Sequence, residues 1–267
     1  MGHFKELFPQ PGAVIGMIHL RALPGTPAYD GRDDLLLSQA LEEARIYRDC
    51  GLQGIMLENM HDTPYVRGTV SPEVVASMAV VAAAVKKESG LPCGVQVLAG
   101  ANREALAVAK AAQLDFVRCE GFVFAHVADE GLLQSDAGDL LRYRRQIDAS
   151  HIQVWTDIKK KHSSHALTAD VDLAETAKAA EFFRSDGLIV TGSSTGRAAN
   201  AEDLRAVREA SQLPLLVGSG ITADNVRDFS SLADALIVGS YFKKEGFWAN
   251  PVDPERVKAL LAARRSV

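Results

Sequence analysis

The chain has 267 residues, 47% of them hydrophobic and 24% charged, which is enough apolar material for a sizeable core and too much for a disordered chain. A net charge of −5 and a pI near 5.8 arise from acids and bases mixed along the sequence, so there is no basic stripe and nucleic acid is not expected as a macromolecular partner. The three cysteines, Cys50, Cys93 and Cys119, are an odd number without C-x-x-C spacing, each in or beside an apolar stretch; they read as reduced core thiols, which argues for the cytoplasm.

The opening "MGHFKELFPQPG" lacks the basic-then-apolar pattern of a secretory signal, and Glu6 stands where myristoylation needs a hydroxyl, so it reads as a mature terminus. From there the chain repeats one unit: a short β-branched run, a polar or Gly-rich loop, then a longer segment with helical spacing. The runs fall at 13–19, 54–58, 94–98, 115–119, 152–158, 187–191, 214–218 and 235–239. The helical segments fall at 33–50, 72–89, 102–113, 136–148, 172–184, 201–211, 222–231 and 253–265, several opening on starts such as Ser71-Pro72-Glu73 and Asp172-Leu173-Ala174-Glu175. The longest apolar segment, 74–85, is shorter than the roughly 20 residues a membrane span needs. Its alanines and valines lie on more than one helix face, which points to a subunit interface and a homo-oligomer.

Eight strand-then-helix units with no linker predict one (β/α)8 TIM barrel domain over 1–267, a fold that takes about 250 residues. A doubly wound open sheet is the runner-up, but it wants a Gly-rich turn after the first strand. Here that strand ends in His19, and the glycines cluster late.

The late glycines repeat a phrase. Val217-Gly218-Ser219-Gly220 closes run seven, and Val238-Gly239-Ser240 closes run eight. In such barrels a phosphate often sits on the loops after strands seven and eight, where backbone N–H groups point outward and a helix start favours an anion. Gly218, Ser219, Gly220, Gly239 and Ser240 are therefore expected to bind phosphate, the alternative being that they only permit tight turns. Asn225 either caps the following helix or braces this loop. "TGSSTGRAAN" (191–200), with Thr191, Gly192 and Arg197, either wraps ribose hydroxyls or a second phosphate, or is a surface turn.

Catalytic groups of a barrel belong at the C-terminal strand ends. Those ends carry His19, Glu58 with Asn59, Gln96, Arg118 with Glu120, Asp157 with Lys159, and Thr191. Period-two alternation places Arg118 with Glu120, and Asp157 with Lys159, on common sides of their strands. The competing readings are a buried structural histidine at His19 and plain ion pairs at Arg118–Glu120 and Asp157–Lys159. "KKKHSSH" (159–165) is either a ligand-covering loop, in which alternation favours Lys159 and Lys161 over Lys160, or a solvated turn. His162 and His165 have a helical ligand spacing, but no third ligand follows from the sequence; neither a metal nor another cofactor is expected.

"GMIHLRALPGTP" (16–27), "LENMHDTPY" (57–65), "DIKKKHSSHA" (157–166), "VTGSSTG" (190–196) and "LLVGSGITADN" (215–225), in that order, resemble the BtpA/SgcQ family over essentially the whole chain. That family is assigned to the ribulose-phosphate-binding barrels, so the resemblance implies the fold reached above. One branch is described as a photosystem I biogenesis factor associated with thylakoid membranes, another as nucleosidases or sugar-catabolism proteins.

The first functional expectation is an enzyme acting on a small phosphorylated sugar or ribosyl compound, nucleosidase-like or in lyase or isomerase chemistry. Asp157 or Glu58 would stabilise positive charge at the anomeric carbon, His19 or Glu120 would move the proton, Lys159 would stand near the phosphate or leaving group, and Arg118, Lys161, Thr191 and Gly192 would bind substrate. A variant uses Lys159 or Lys161 as an amine nucleophile. The third is a non-catalytic assembly factor using the final helix, whose Val257, Leu260 and Leu261 are flanked by Arg256, Lys258, Arg264 and Arg265. That stripe alternatively seals the barrel.

Overall fold

A computed structural model describes residues 2–192 and 199–265. Its strands are β1 (Ala13–His19), β2 (Gly54–Glu58), β3 (Cys93–Gln96), β4 (Phe116–Cys119), β5 (His126–Ala128), β6 (Gly131–Leu133), β7 (Gln153–Ile158), β8 (Ser163–Ser164), β9 (Gly187–Val190), β10 (Leu215–Gly218) and β11 (Ala235–Val238). Its helices are α1 (Gly2–Leu7), α2 (Asp33–Cys50), α3 (Pro72–Ser89), α4 (Asn102–Ala111), α5 (Ala137–Gln146), α6 (Leu173–Phe182), α7 (Ala201–Ala210), α8 (Val226–Leu232) and α9 (Pro254–Arg265). Eight strands close a parallel barrel in the order β1-β11-β10-β9-β7-β4-β3-β2, with helices between successive barrel strands, so the chain is a (β/α)8 barrel. The predicted α2 and α3 bounds coincide with the observed ones, and most other ends differ by one or two residues. Val97 and Leu98 fall outside β3, and the helix after β10 starts at Val226 rather than 222. Of the two predicted helix starts, Asp172 accepts the Glu175 N–H as an N-cap, whereas Ser71 makes no cap bond and α3 relies on Pro72 at its first turn.

Alternation along each strand divides the core in two. The inward set, Ala13, Ile15, Met17, Met56, Phe116, Trp155, Ile189, Leu216, Ala235 and Ile237, fills the barrel. The outward set, including Val14, Ile18, Ile55, Leu57 and Val154, packs against the helices. Phe116 and Trp155 stack at 3.9 Å inside the barrel, and Gly94 on β3 is where they are admitted, because a Cβ there would overlap the Phe116 ring. Helix α1, absent from the sequence reading, plugs the lower end: Phe4 and Phe8 lie 5.6 and 6.1 Å from the Trp155 ring and are buried. With the interior filled from below, only the uppermost inward positions of the strands can carry chemistry.

Two further sequence expectations concern exposure. Val257, Leu260 and Leu261 of α9 are buried, so that stripe seals the barrel and is not available to a membrane. Helix α3 turns Val74, Met78, Val81 and Val85 into the core and leaves Val80 exposed, at 65%. No helix among the described residues is long and apolar enough to cross a membrane. A second element missed by the sequence reading is a small antiparallel sheet, order β6-β5-β8, formed by a hairpin after β4 and a short strand after β7.

Candidate active site

The inward positions rise one pleat at a time from core to mouth: Met17 to His19, Met56 to Glu58, Gly94 to Gln96, Phe116 to Arg118, Trp155 to Asp157, Leu216 to Gly218 and Ile237 to Gly239. All seven upper residues line one cavity of about 490 Å³, together with Glu120, Lys160, Lys161, His162, Ser219, Gly220, Ser240, Tyr241 and Arg256. The polar residues sit there because strand parity carries them above a filled apolar floor, and strand register aligns His19, Glu58 and Gln96 on three neighbouring strands.

His19 is buried at 6% exposure, and its Nδ1 lies 2.8 Å from the carbonyl oxygen of Trp248. A carbonyl only accepts, so Nδ1 carries the proton and donates, and Nε2 holds a lone pair toward the cavity. Burial, with Lys243 adding positive charge nearby, pushes the imidazole down to about 3. It is therefore neutral at physiological pH. Glu58 Oε2 stands 3.7 Å from His19 Nε2, and among the described residues the Glu58 carboxyl makes no hydrogen bond. Burial pushes its pKa up, opposed by Arg118 and Lys161.

Asp157 is also buried, but both its oxygens are taken: Arg118 Nε and Nη2 donate to them at 3.0 and 2.9 Å. Burial raises this carboxyl, and Arg118 pulls against it. The partner foreseen for Asp157, Lys159, is elsewhere. Its backbone turns to φ 48° immediately after β7, which ends the alternation, and its ammonium donates to the Thr168 carbonyl at 3.2 Å, outside the main cavity. Lys160 points inward in its place. Its Nζ donates to Glu120 Oε2 at 2.8 Å, while Gln96 Nε2 donates to the other Glu120 oxygen at 2.9 Å. Burial alone would lower the Lys160 ammonium, but Glu120 more than offsets this and holds it above its ordinary value. The Arg118–Glu120 pair considered from sequence does not form. Each has another partner, and Glu120 is too engaged to be a ready proton donor. Lys161 reaches the cavity with its ammonium lowered by burial and by Arg118.

Thr191 and Gly192 do not line the cavity. The Thr191 hydroxyl accepts the Lys161 N–H at 3.0 Å, so it positions the lysine loop rather than touching the cavity. Residues 193–198, including Arg197, lie outside the described residues. Gly218, Ser219, Gly220, Gly239 and Ser240 converge on the rim of the same cavity. Ser219 and Gly220 both have positive φ, 138° and 69°, at the rim of this cavity. Asn225 makes no cap bond to α8; its side chain accepts the Thr222 N–H and donates to the Gly220 carbonyl, bracing that turn. Arg256, at the start of α9, covers the Tyr241 ring at 4.4 Å and lines the cavity too. The sequence offered only a helix cation there. No group of three or more His, Cys, Asp or Glu able to hold a metal occurs among the described residues. His165 Nε2 instead donates to the Lys160 carbonyl.

The BtpA family model matches residues 10–266. The chain belongs to the BtpA family. An uncharacterized mitochondrial protein of Caenorhabditis elegans is 47% identical over 253 residues, 93% of this chain and 91% of that protein. The photosystem I biogenesis protein BtpA of Synechocystis is 32% identical over 259 residues, 97% and 90% of the two chains. Among solved structures, orotidine 5′-phosphate decarboxylase from Pyrococcus horikoshii superposes with a TM-score of 0.60 at 17% identity, covering 95% of this chain and 100% of that one. Phosphoribosylanthranilate isomerase from Thermotoga maritima superposes with a TM-score of 0.57 at 13% identity, covering 96% and 100%. This BtpA-family chain thus shares its barrel with enzymes of varied chemistry.

Proposed function

We propose that this BtpA-family protein is an enzyme that acts on a phosphorylated sugar or ribosyl compound at the C-terminal mouth of the barrel. The observation that carries the reading is that the Gly218–Gly220 turn and Gly239–Ser240 open onto the same cavity as the neutral His19 and the unbonded Glu58 carboxyl. A phosphate held by the glycine rim, with Arg256 beside it, brings the attached sugar over the floor. Glu58 stabilises positive charge developing at the anomeric carbon and, with its pKa raised by burial, accepts the proton of an attacking hydroxyl, while the Nε2 lone pair of His19 orients that hydroxyl by accepting a hydrogen bond. Lys161, whose ammonium is made a readier acid by burial, protonates the leaving group. Arg118 holds Asp157 and is itself held, so that pair supplies a fixed field rather than a moving proton. The orotidine and phosphoribosyl enzymes named above handle phosphorylated compounds by their names; at their low identity they support the fold, and the phosphate reading rests on the glycine rim.

Phosphate at a hundredfold excess over Kd should stabilise the protein by about 2.7 kcal/mol, read as a thermal shift at constant ionic strength. Gly239→Glu should abolish that shift, because its carboxylate would stand in the anion's place; a Cβ at Gly239 already comes within 3.3 Å of His19 Nε2. A folded Gly239→Glu variant that keeps the whole shift would remove the phosphate reading. Turnover of ribosyl compounds or sugar phosphates would then be sought with His19→Gln and Glu58→Gln as inactive controls.

The lowered ammonium of Lys161 favours a second chemistry, amine attack on a carbonyl substrate. Borohydride reduction with sugar-phosphate aldehydes should then leave an adduct on Lys161 by mass spectrometry, and its absence would discard this route. The assembly role named for the Synechocystis relative is the reading from outside enzymology. It predicts co-flotation with liposomes or a stable protein partner, and the buried α9 stripe gives it no membrane contact.

A further inference from the structure

The two ends of the cavity differ in kind. Around the closed sheet, β10 and β11 lie diametrically across from β3 and β4, so the glycine rim faces Gln96 and Glu120 across the mouth. Gln96 is buried at 2% exposure. Its Nε2 donates to Glu120 Oε1, and because a carboxylate bonded to Lys160 can only accept, this bond fixes which way the amide points. Gln96 Oε1 is left buried, at the cavity wall, with no hydrogen-bond partner. Glu130, on the turn between β5 and β6, lines the same cavity, and its Oε2 is likewise buried and unpartnered. Glu120 cannot supply either with a donor, and the Lys160 ammonium hydrogen-bonds Glu120 and neither of these two oxygens. Buried acceptors without donors are rare in folded proteins, and each such case calls for a partner.

Building on the phosphate reading above, we infer that the ligand bears N–H or O–H donors at the end remote from its phosphate, and that Gln96 Oε1 and Glu130 Oε2 receive them. The chemistry is that of a phosphorylated compound with a polar, donor-bearing far end, and it excludes a phosphate ester of a plain hydrocarbon. The donors have two sources: hydroxyls of the sugar itself, or an amino group on a base attached to it. A cavity of about 490 Å³ lies within the range of roughly 300–1,000 Å³ typical of small-molecule sites.

Binding of four probes separates the cases: inorganic phosphate, ribose 5-phosphate, adenosine 5′-monophosphate, and purine riboside 5′-monophosphate, which lacks only the amino group. If sugar hydroxyls are the donors, ribose 5-phosphate binds at least ~10-fold tighter than inorganic phosphate, the scale of one or two hydrogen bonds. If the amine is the donor, the adenosine compound exceeds the purine riboside compound by about the same factor. In either case Gln96→Leu reduces the gain while leaving the thermal shift from inorganic phosphate intact, and that intact shift certifies its fold. Glu130→Met, on a hairpin outside the barrel, should reduce the gain independently. Organic phosphates that bind no tighter than inorganic phosphate, or a gain that survives both substitutions, would overturn this inference with the phosphate reading still standing. Absence of any shift with inorganic phosphate would instead overturn the phosphate reading.

Discussion

The β10–β11 half of the mouth is built from backbone, and the β3–β4–β7 half from side chains. The first presents Gly218, Ser219, Gly220 and Gly239, and a Cβ added at Gly218 would lie 2.9 Å from the Ile189 side chain. The second buries two ion pairs, Arg118–Asp157 and Lys160–Glu120, within a sheet whose floor is hydrocarbon. Backbone N–H groups need no desolvated counter-charge, so the glycine half tolerates loss of a side chain and resists gain of one. Buried charges are costly unless paired, so the opposite half resists loss.

Arg118→Met should show this most strongly. It leaves Asp157 buried without the guanidinium that bonds both its oxygens, and breaking such a pair costs about 3–5 kcal/mol. The double variant Arg118→Met with Asp157→Leu should recover much of that loss, since well-packed apolar replacements of buried pairs are often neutral. Urea unfolding of the wild type and the two variants measures it. A single-variant cost below ~1 kcal/mol would mean that the pair is wet and that the two halves do not differ as described.

The same contrast governs how much could be read from the sequence. Glycine followed by serine at the ends of two apolar runs survives as text, because a backbone site depends on residue type at a fixed chain position. The barrel was legible for a similar reason: period-two runs and helical spacing are local, and α2 and α3 fall where the spacing placed them. Strand ends also named His19, Glu58, Arg118 and Asp157, all of which line the cavity, and period-two parity carried the reading on from there. It failed one residue past β7, where Lys159 adopts φ 48° and Lys160 joins Lys161 at the cavity in its place. A backbone conformation that a lysine rarely takes has no signature in composition. The partner choices were equally hidden, because Arg118 with Asp157 and Glu120 with Lys160 are separated by 39 and 40 residues. Glu130 and Trp248 reach the site on a hairpin and a loop with no periodicity to announce them.

His19 lies where the halves meet, with β1 between β11 and β2, and its neutrality can be tested through pH. Its folded pKa of about 3 lies below the ordinary 6.5 or so of an unfolded histidine. Between those values the unfolded chain binds a proton that the native one does not, so stability rises with pH across the window and is lost as pH falls. From pH 7 to pH 5 the wild type should lose about 2 kcal/mol more than His19→Gln, at ~1.36 kcal/mol per pH unit below 6.5. Asp136, pushed up to about 6 by burial, works in the opposite direction, but it is common to both proteins and cancels in the difference. Parallel stability curves for the two would mean that His19 is solvated and that the cavity floor is more polar than its residues imply.

The smallest expected effect separates the two neighbouring lysines. Lys159 donates one hydrogen bond to the Thr168 carbonyl in a part-buried position outside the main cavity, whereas Lys160 neutralises Glu120, whose side chain is 7% exposed. Lys159→Met should therefore cost no more than the roughly 1 kcal/mol of one hydrogen bond, and should leave ligand binding at the mouth unaltered. Lys160→Met strips Glu120 of its cation, so it should destabilise by several times that amount. Thermal unfolding of both variants at pH 7 makes the comparison. If Lys159→Met proved the costlier of the two, the alternation would continue past β7 after all, and Lys159 rather than Lys160 would be the lysine that faces the carboxylates.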